Sequence, residues 1–155
     1  MLNKINLREA TLNDLDELTI LCEETIIESC KNDYSHLQKN AWINKIKKAH
    51  KLKNSIENEY FIIAENEVEI VGFSSLKNGE YLNLMYVHKN HIGKGVAHKL
   101  FEKIKNKSLE LGYQKLSADV SITARPFFEK KGFYIVKENE NYIDNEVLIN
   151  YEMTE

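Results

Sequence analysis

The stretch of sequence that decides the fold lies near the middle of the chain, where a strand ends, a short loop follows and a helix begins. It reads Tyr86-Val87-His88-Lys89-Asn90-His91-Ile92-Gly93-Lys94-Gly95-Val96-Ala97. The N–H groups at the start of a helix have no partners inside the helix, and the helix dipole places partial positive charge beside them. The segment therefore predicts a site for an anion such as a phosphate.

Two glycines make the backbone of this loop accessible to a ligand. Gly93 and Gly95 would let phosphate oxygens approach the backbone, because glycine has no Cβ, and Lys94 between them adds a cation. On its own, a pair of glycines before a helix also fits an ordinary turn. The loop lacks the Gly-Lys-Ser/Thr of the Walker pattern. It is also a poor dinucleotide-binding fingerprint, because the third glycine is missing and the strands before it are predicted to pair antiparallel.

The residues on either side of the loop predict a mixed α/β fold. Their apolar spacing predicts strands near residues 5–9, 60–64, 70–76, 81–87, 116–120, 133–136 and 147–153, and helices near residues 12–27, 36–50, 96–109 and 123–131. Asn78-Gly79 predicts a tight hairpin turn, whereas the helix after Val87 makes the next strand pair parallel. We therefore expect one domain over residues 1–155, with helices flanking a central, mostly antiparallel sheet.

Composition and charge argue against several partners. The chain of 155 residues has a formal net charge of -3, whereas a nucleic-acid binder usually presents a basic face. No apolar run approaches the roughly 20 residues that span a membrane, and the opening MLNKINLREA lacks the apolar core of a signal peptide. These features predict a cytoplasmic protein. His88 and His91 without further spaced ligands make a poor metal site, so we expect no metal.

Two motifs resemble those of the GNAT superfamily of N-acetyltransferases. The loop sequence Ile92-Gly93-Lys94-Gly95-Val96-Ala97 resembles the acetyl-coenzyme A (acetyl-CoA) motif of that superfamily. Further on, Ala124-Arg125-Pro126-Phe127-Phe128-Glu129-Lys130-Lys131-Gly132-Phe133 resembles its Ala-x-x-Phe-Tyr-x-x-x-Gly-Phe signature. The resemblance covers nearly the whole chain and looks closest to a bacterial subgroup of small acetyltransferases.

This resemblance implies a sheet of about six or seven strands with a V-shaped splay, flanked by about four helices. It also implies acetyl-CoA as the cosubstrate, a primary amine of a small molecule or a protein as the acceptor, and direct transfer without a metal. The residues that it places against the coenzyme are Met85, Tyr86, Val87, Ile92, Gly93, Lys94, Gly95, Val96, Ala97, Ser121 and Phe128.

The chain departs from the superfamily pattern at positions that bear on catalysis. Phe128 stands where many relatives carry a tyrosine that protonates the departing thiolate. Another group or water then supplies the proton, or coenzyme A leaves as a thiolate. Ser121 stands where an asparagine is usual and keeps one hydroxyl. Asn90 and Ile92 replace the usual glutamine or arginine before the glycines, which predicts modestly weaker coenzyme binding.

Three residues are candidates for catalysis. By resemblance, the backbone N–H of Val87 stabilises the oxyanion that forms from the thioester carbonyl. Strand alternation predicts one shared face for Tyr81, Asn83, Met85 and Val87. Tyr81 lies about where some relatives carry a catalytic glutamate, so it is a candidate to position water or relay a proton, although a strand tyrosine also serves in packing. Asp119 is the second candidate for the base, or else a solvated carboxylate at a strand end.

The acceptor site is expected between the two N-terminal helices and the loop that joins them. Asp33 could hold a cationic amine, and Trp42 could offer it an aromatic face beside Tyr34. A turn residue and core aromatics explain the same sequence equally well. The C-terminal strands are candidates for the edge of a homodimer. Two other functions stay open: a GNAT-like acyl-CoA-binding or regulatory module that has lost catalysis, and a toxin-type enzyme that acetylates aminoacyl-tRNA.

Overall fold

The computed structural model describes residues 4–155, which form seven strands and five α-helices. The strands are β1 (Asn6–Glu9), β2 (Tyr60–Glu65), β3 (Ile70–Lys77), β4 (Tyr81–Val87), β5 (Ser117–Ser121), β6 (Tyr134–Ile143) and β7 (Glu146–Thr154). The helices are α1 (Leu15–Ser29), α2 (His36–Lys48), α3 (Lys51–Asn58), α4 (Val96–Glu110) and α5 (Arg125–Lys130), with short 3-10 turns at Leu12–Asp14 and Lys89–His91. The predicted mixed α/β fold is confirmed.

All seven strands belong to one sheet, in the order β1-β2-β3-β4-β5-β7-β6. β4 and β5 are parallel, as the helical crossover between them requires, and all other neighbours are antiparallel. β4 and β5 pair only at Tyr81 and Ser117. Beyond that pair the strands separate toward Val87 and Ser121. This separation is the V-shaped splay that the resemblance implied, and it leaves a gap in the middle of the sheet.

The two larger apolar cores of residues 4–155 lie on opposite faces of the sheet, and a smaller cluster surrounds Tyr34 and Leu148. Helices α4 and α5 pack on one face, where Leu100 and Ile104 are fully buried. Helices α1, α2 and α3 pack on the other face through Leu18, Ile43 and Leu52. Each helix therefore buries one side and leaves the other to solvent. None of the helices in residues 4–155 is long and apolar enough to cross a membrane.

Two tight turns shape the sheet. Asn78 and Gly79, between β3 and β4, have φ of 55° and 80°, and a type I′ turn of the predicted kind requires positive φ at both positions. Asp144 and Asn145, between β6 and β7, have φ of 48° and 65°. The second hairpin extends β6 to Ile143, well beyond the predicted end near residue 136. The added residues are mostly polar, so they lack the apolar alternation that predicts a strand, and pairing with β7 holds them extended.

A β-bulge at Asn83 changes which face of β4 each side chain occupies. The register with β3 shifts by one residue there, which leaves Asn83 as an extra residue of β4. Met85 and Val87 consequently pack against the core beneath α4, whereas Tyr81 faces the side of α2 and α3. The prediction that these side chains share one face is therefore wrong, because regular alternation stops at the bulge.

Candidate active site

The gap between β4 and β5 is continuous with two cavities. The first, here called the loop cavity, has a volume of about 470 Å³ and is bounded by the Gly93–Ala97 loop, β4, β5, α1 and α5. The second, called the corner cavity, has a volume of about 290 Å³ and extends from the gap to the corner between α2 and α3. The residues that line both are Trp42, Asn83, Tyr86, Asp119 and Ser121. A ligand in one cavity can therefore meet a ligand in the other at the gap.

The backbone of β4 presents polar groups to this gap. His88 N–H donates to Val71 O at 2.8 Å, and hydrogen-bonded and non-hydrogen-bonded residues alternate along an antiparallel pair. Val87, opposite Gly72, therefore turns its N–H and C=O away from β3 and toward the gap. The Val87 carbonyl accepts a hydrogen bond from Thr25 Oγ1 at 3.1 Å. The Val87 N–H points into a region where β5 has already separated from β4.

Helix α4 begins at the loop cavity, so the N–H groups of its first turn are directed there. Gly95 is the N-cap, and Gly93 and Gly95 have φ of 79° and 85°, a left-handed conformation that glycine adopts without strain. A Cβ on either glycine would meet no atom within 4 Å, so the loop leaves open space beside its backbone. This geometry fits a diphosphate that accepts hydrogen bonds from the loop and the helix start.

The residues predicted to contact a coenzyme surround the loop cavity. Those that line it are Met85, Tyr86, Val87, Ile92, Gly93, Gly95, Val96, Ala97, Ser121 and Phe128. Lys94 is exposed and lies outside that lining among the described residues. Ser121 Oγ accepts a hydrogen bond from the Ala124 N–H at 3.1 Å, so its own proton stays free to donate. Phe128 packs edge to face on Phe133, with 5.1 Å between ring centroids, which makes its ring a fixed part of the wall.

The two side chains that the sequence suggested for proton transfer are hydrogen-bonded to each other. Tyr81 Oη donates to Asp119 Oδ2 at 2.7 Å, and Asn139 Nδ2 donates to Asp119 Oδ1 at 3.1 Å. Burial, and then the bond to Asp119, raises the pKa of the Tyr81 hydroxyl, which therefore stays a donor at neutral pH. Within residues 4–155, Asp119 is the one carboxylate that lines either cavity.

The three residues predicted to contact an acceptor separate into two groups. Tyr34 and Trp42 lie in the wall of the corner cavity and contact each other edge to face, with 5.4 Å between ring centroids. Asp33 lines neither cavity among the described residues. Its carboxylate instead accepts a hydrogen bond from Thr123 Oγ1 at 2.7 Å, which ties the α1–α2 loop to the segment after β5. We therefore leave Asp33 out of the acceptor site.

Comparison with known proteins assigns this arrangement to a family. A family model described as an acetyltransferase (GNAT) domain matches residues 30–155. YafP of Escherichia coli, an uncharacterized N-acetyltransferase, is 30% identical over 140 residues, which are 88% of this chain and 86% of that protein. The chain belongs to the GNAT acetyltransferase family. The resemblance found in the two sequence motifs is thereby confirmed.

Solved structures agree with the assignment of this chain to the GNAT acetyltransferase family. A GCN5-related N-acetyltransferase from Rhodopseudomonas palustris superposes with a TM-score of 0.92 at 27% identity, over 100% of this chain and 98% of that one. The PaiA N-acetyltransferase from Thermoplasma acidophilum, solved in complex with coenzyme A, superposes with a TM-score of 0.80 at 20% identity, over 98% of each chain. The second likeness shows the fold, and the first, with the family match, supports an acetyltransferase enzyme.

The acetyltransferase site also contains cations that sequence reading did not single out. Lys45 and Lys51 line the corner cavity. Lys51 is the first residue of α3, a helix that was not predicted because its sequence KLKNSIEN is polar apart from Leu52 and Ile56. The spacing of those two apolar residues is the weak helical signal that could have found it.

His88 and His91 pair with a carboxylate on the surface of the enzyme. His88 Nε2 lies 3.3 Å from Glu69 Oε1, and His91 Nε2 lies 3.9 Å from Glu69 Oε2. In the part of the chain that the structure describes, no group of three or more His, Cys, Asp or Glu side chains could hold a metal ion.

Tyr34, in the loop between α1 and α2, connects that loop of the acetyltransferase to β7 and to the segment after β5. Its Oη donates to Ile149 O at 2.6 Å and accepts from the Ile122 N–H at 3.0 Å. Tyr34→Phe is expected to lower the free energy of unfolding by about 1–3 kcal/mol, because both backbone groups lose a buried partner. Urea unfolding measures the loss. Tyr134→Phe, at a tyrosine that is 58% exposed, is the control, and a loss no larger than the control's would contradict this role.

Proposed function

We propose that this enzyme transfers the acetyl group of acetyl-CoA to a primary amine by direct attack in a ternary complex. Acetyl-CoA occupies the loop cavity, and the amine enters from the corner cavity. The observation that carries the proposal is the gap between β4 and β5, because both cavities reach it at Tyr86 and Ser121 and the loop cavity continues to the Val87 N–H, which β5 leaves unpaired. The structure of PaiA with coenzyme A, which has the same fold, supports the choice of cosubstrate.

The chain offers a matching group for each part of acetyl-CoA, which supplies an acetyl group activated as a thioester. The loop at Gly93 and Gly95 and the first turn of α4 hold the diphosphate. The exposed backbone of Met85 pairs with an amide group of the pantetheine arm, as an edge strand pairs with an added strand. The Val87 N–H donates to the thioester carbonyl oxygen, and such a donor is worth about 2.7–4 kcal/mol in other enzymes.

Asp119 is the residue that we propose activates the amine. An alkylamine with a pKa near 10 is mostly protonated at neutral pH, so it must lose a proton before its nitrogen attacks. Asp119 lies where both cavities meet and can accept that proton, directly or through one water. Tyr81 and Asn139 hold the carboxylate in position. Tyr81 does not compete as a base, because its raised pKa keeps it protonated.

The phenyl ring of Phe128 cannot donate a proton to the leaving thiolate. The nitrogen adds to the thioester carbon, and the C–S bond breaks as the oxyanion returns to a carbonyl. The nitrogen releases its second proton to water or to the departing thiolate. A thiol has a pKa of about 8.5, so coenzyme A can depart as a thiolate near neutral pH without an acid at this position. Loss of the usual tyrosine is therefore compatible with turnover.

The cysteines favour direct transfer over an acyl-enzyme. Cys22 and Cys30 are buried, and burial raises the pKa of Cys22 to about 12 and also raises that of Cys30. Neither thiol is a ready nucleophile, since the thiolate is the reactive form. Cys30→Ala is expected to stay active, and initial-rate lines for the two substrates are expected to intersect. Parallel lines, the ping-pong pattern, would contradict direct transfer.

The test of the proposed function combines binding and turnover. Calorimetry is expected to show acetyl-CoA binding in the micromolar range, about -8 kcal/mol. A panel of primary amines is then incubated with enzyme and acetyl-CoA, with thiol release and N-acetylated product both measured. Binding without product from any amine would sink the proposed transfer and favour the acyl-CoA-binding module. No binding by folded protein would remove acetyl-CoA from the loop cavity.

A further inference from the structure

The helical wall of the corner cavity carries two lysines that have no carboxylate partner within residues 4–155. Lys45 from α2 and Lys51 from α3 both line the cavity. Other lysines in the described chain do pair with carboxylates, such as Lys47 with Glu23 at 2.6 Å. Among residues 4–155, neither Lys45 nor Lys51 has an acidic oxygen within 4.0 Å.

The position of Lys51 is unfavourable for a cation in the unliganded protein. Its side chain is half-buried, and it stands at the first residue of α3, where the helix dipole is positive. Burial, followed by the charge of Lys45, lowers the pKa of Lys51, and the smaller opposing effects of Glu59 and Asp119 do not reverse this. An anion between the two ammonium groups would reverse these penalties, because an opposite charge in a partly desolvated site favours the charged form.

The opposite wall of the cavity has the complementary charge. Asp119 reaches the cavity from β5, and Tyr81 and Asn139 orient its carboxylate. One wall therefore suits an ammonium group and the other an anion, and a volume of about 290 Å³ suits a small molecule.

We propose that the acceptor is a small amine that also carries an anionic group, a carboxylate or a phosphate, held by Lys45 and Lys51 while Asp119 receives the amine. This inference rests on the proposed function and specifies its acceptor. The anion fixes the far end of the acceptor, so the nitrogen is directed at the gap beside Val87.

The test uses pairs of amines that differ only in the anionic group. Phenylalanine is compared with 2-phenylethylamine, lysine with 1,5-diaminopentane, and 2-aminoethyl phosphate with ethylamine. Thiol release gives kcat/KM for each. The member with the anion is expected to be preferred by about tenfold to hundredfold, as for hydrogen bonds to a charged group. The amino acids and the phosphate distinguish the two kinds of anion.

Variants at Lys51 test whether the lysines cause the preference. Lys51→Gln is expected to lower the ratio of kcat/KM within each pair by about tenfold, mainly through KM for the anionic member, while Lys45 still contacts the anion. Lys51→Glu is expected to invert the ratio, so that 1,5-diaminopentane is preferred over lysine. Loss of folding cannot raise kcat/KM for the diamine relative to lysine in this way. Lys53→Gln is the matched control, because Lys53 lies on the same helix, is exposed and pairs with Glu57 at 3.9 Å.

The outcomes separate this inference from the proposed function. If amines without an anion are acetylated as well as their partners, the function stands and the inference falls. The inference also falls if Lys51→Gln keeps the wild-type ratio or if Lys53→Gln changes it equally. If the enzyme binds acetyl-CoA and acetylates no amine of either kind, the proposed function fails, and the acceptor assignment fails with it.

Discussion

Asp119→Asn is expected to lower kcat/KM for acetyl transfer by about 100- to 10,000-fold, the usual contribution of a general base. The amide keeps the size of the side chain and can still accept from Tyr81 Oη, but it cannot take the proton of the amine. Affinity for acetyl-CoA should change little, because the base acts on the acceptor. Steady-state rates with a good amine, together with calorimetry on the same samples, measure both effects.

The hydrogen bond between Tyr81 and Asp119 predicts that Tyr81→Phe lowers kcat/KM less than Asp119→Asn does, and only while Asp119 is present. Tyr81→Phe removes one donor to the carboxylate and is expected to lower kcat/KM about tenfold, equivalent to about 1.4 kcal/mol. If Tyr81 acts only by orienting Asp119, its removal has little effect once Asp119 is asparagine. The double variant is then no slower than Asp119→Asn alone.

A second tyrosine–carboxylate pair provides the control for these variants. Tyr142 Oη donates to Glu140 Oε2 at 2.9 Å on β6, where both side chains are exposed. Glu140→Gln and Tyr142→Phe make the same chemical changes away from both cavities and should leave kcat/KM unchanged. Asp119→Asn with wild-type kcat/KM would show that the carboxylate is a solvated residue at a strand end and that the base lies elsewhere.

The sequence predicted those parts of the site that depend on local structure. The Gly93–Ala97 loop could be recognised because a strand, glycines and an amphipathic helix follow one another within the chain. The Asn78-Gly79 turn could be recognised for the same reason, since its signal is two adjacent residues. In both places the backbone conformation is determined by residues that are adjacent in the sequence. Contacts with distant parts of the chain therefore do not change it.

Features that depend on distant contacts escaped prediction. The bulge at Asn83 arises from the pairing of β4 with β3, and it moved Tyr81 to the acceptor side. Asp33 was a candidate to hold the amine because its hydrogen-bond partner, Thr123, lies 90 residues away and gives no local signal in the sequence. Lys51 was not singled out, because α3 has little apolar periodicity and was not predicted. Most residues that line the loop cavity beside α4 were thus named from the sequence, whereas Lys45 and Lys51 of the corner cavity were not.

Gly95→Glu is expected to weaken acetyl-CoA binding at least about 100-fold, or about 2.8 kcal/mol, as measured by calorimetry. The left-handed φ of Gly95 makes any side chain strained, by about 1–2 kcal/mol. The added carboxylate would also project into the open space beside the loop and repel the diphosphate. Gly93→Glu should act in the same direction, since its φ and surroundings are similar.

Gly112→Glu separates the loss of a phosphate site from the cost of backbone strain. Gly112 has φ of 94°, a Cβ there would also meet no atom within 4 Å, and it follows the other end of α4. Gly112→Glu should therefore lose about as much thermal stability as Gly93→Glu or Gly95→Glu. Only the variants at Gly93 and Gly95 should lose affinity for acetyl-CoA. Equal loss of affinity at Gly112 would trace the effect to stability. Wild-type affinity in Gly95→Glu would instead place the diphosphate away from this loop, leaving the gap at Val87 without the anchor that aligns the thioester.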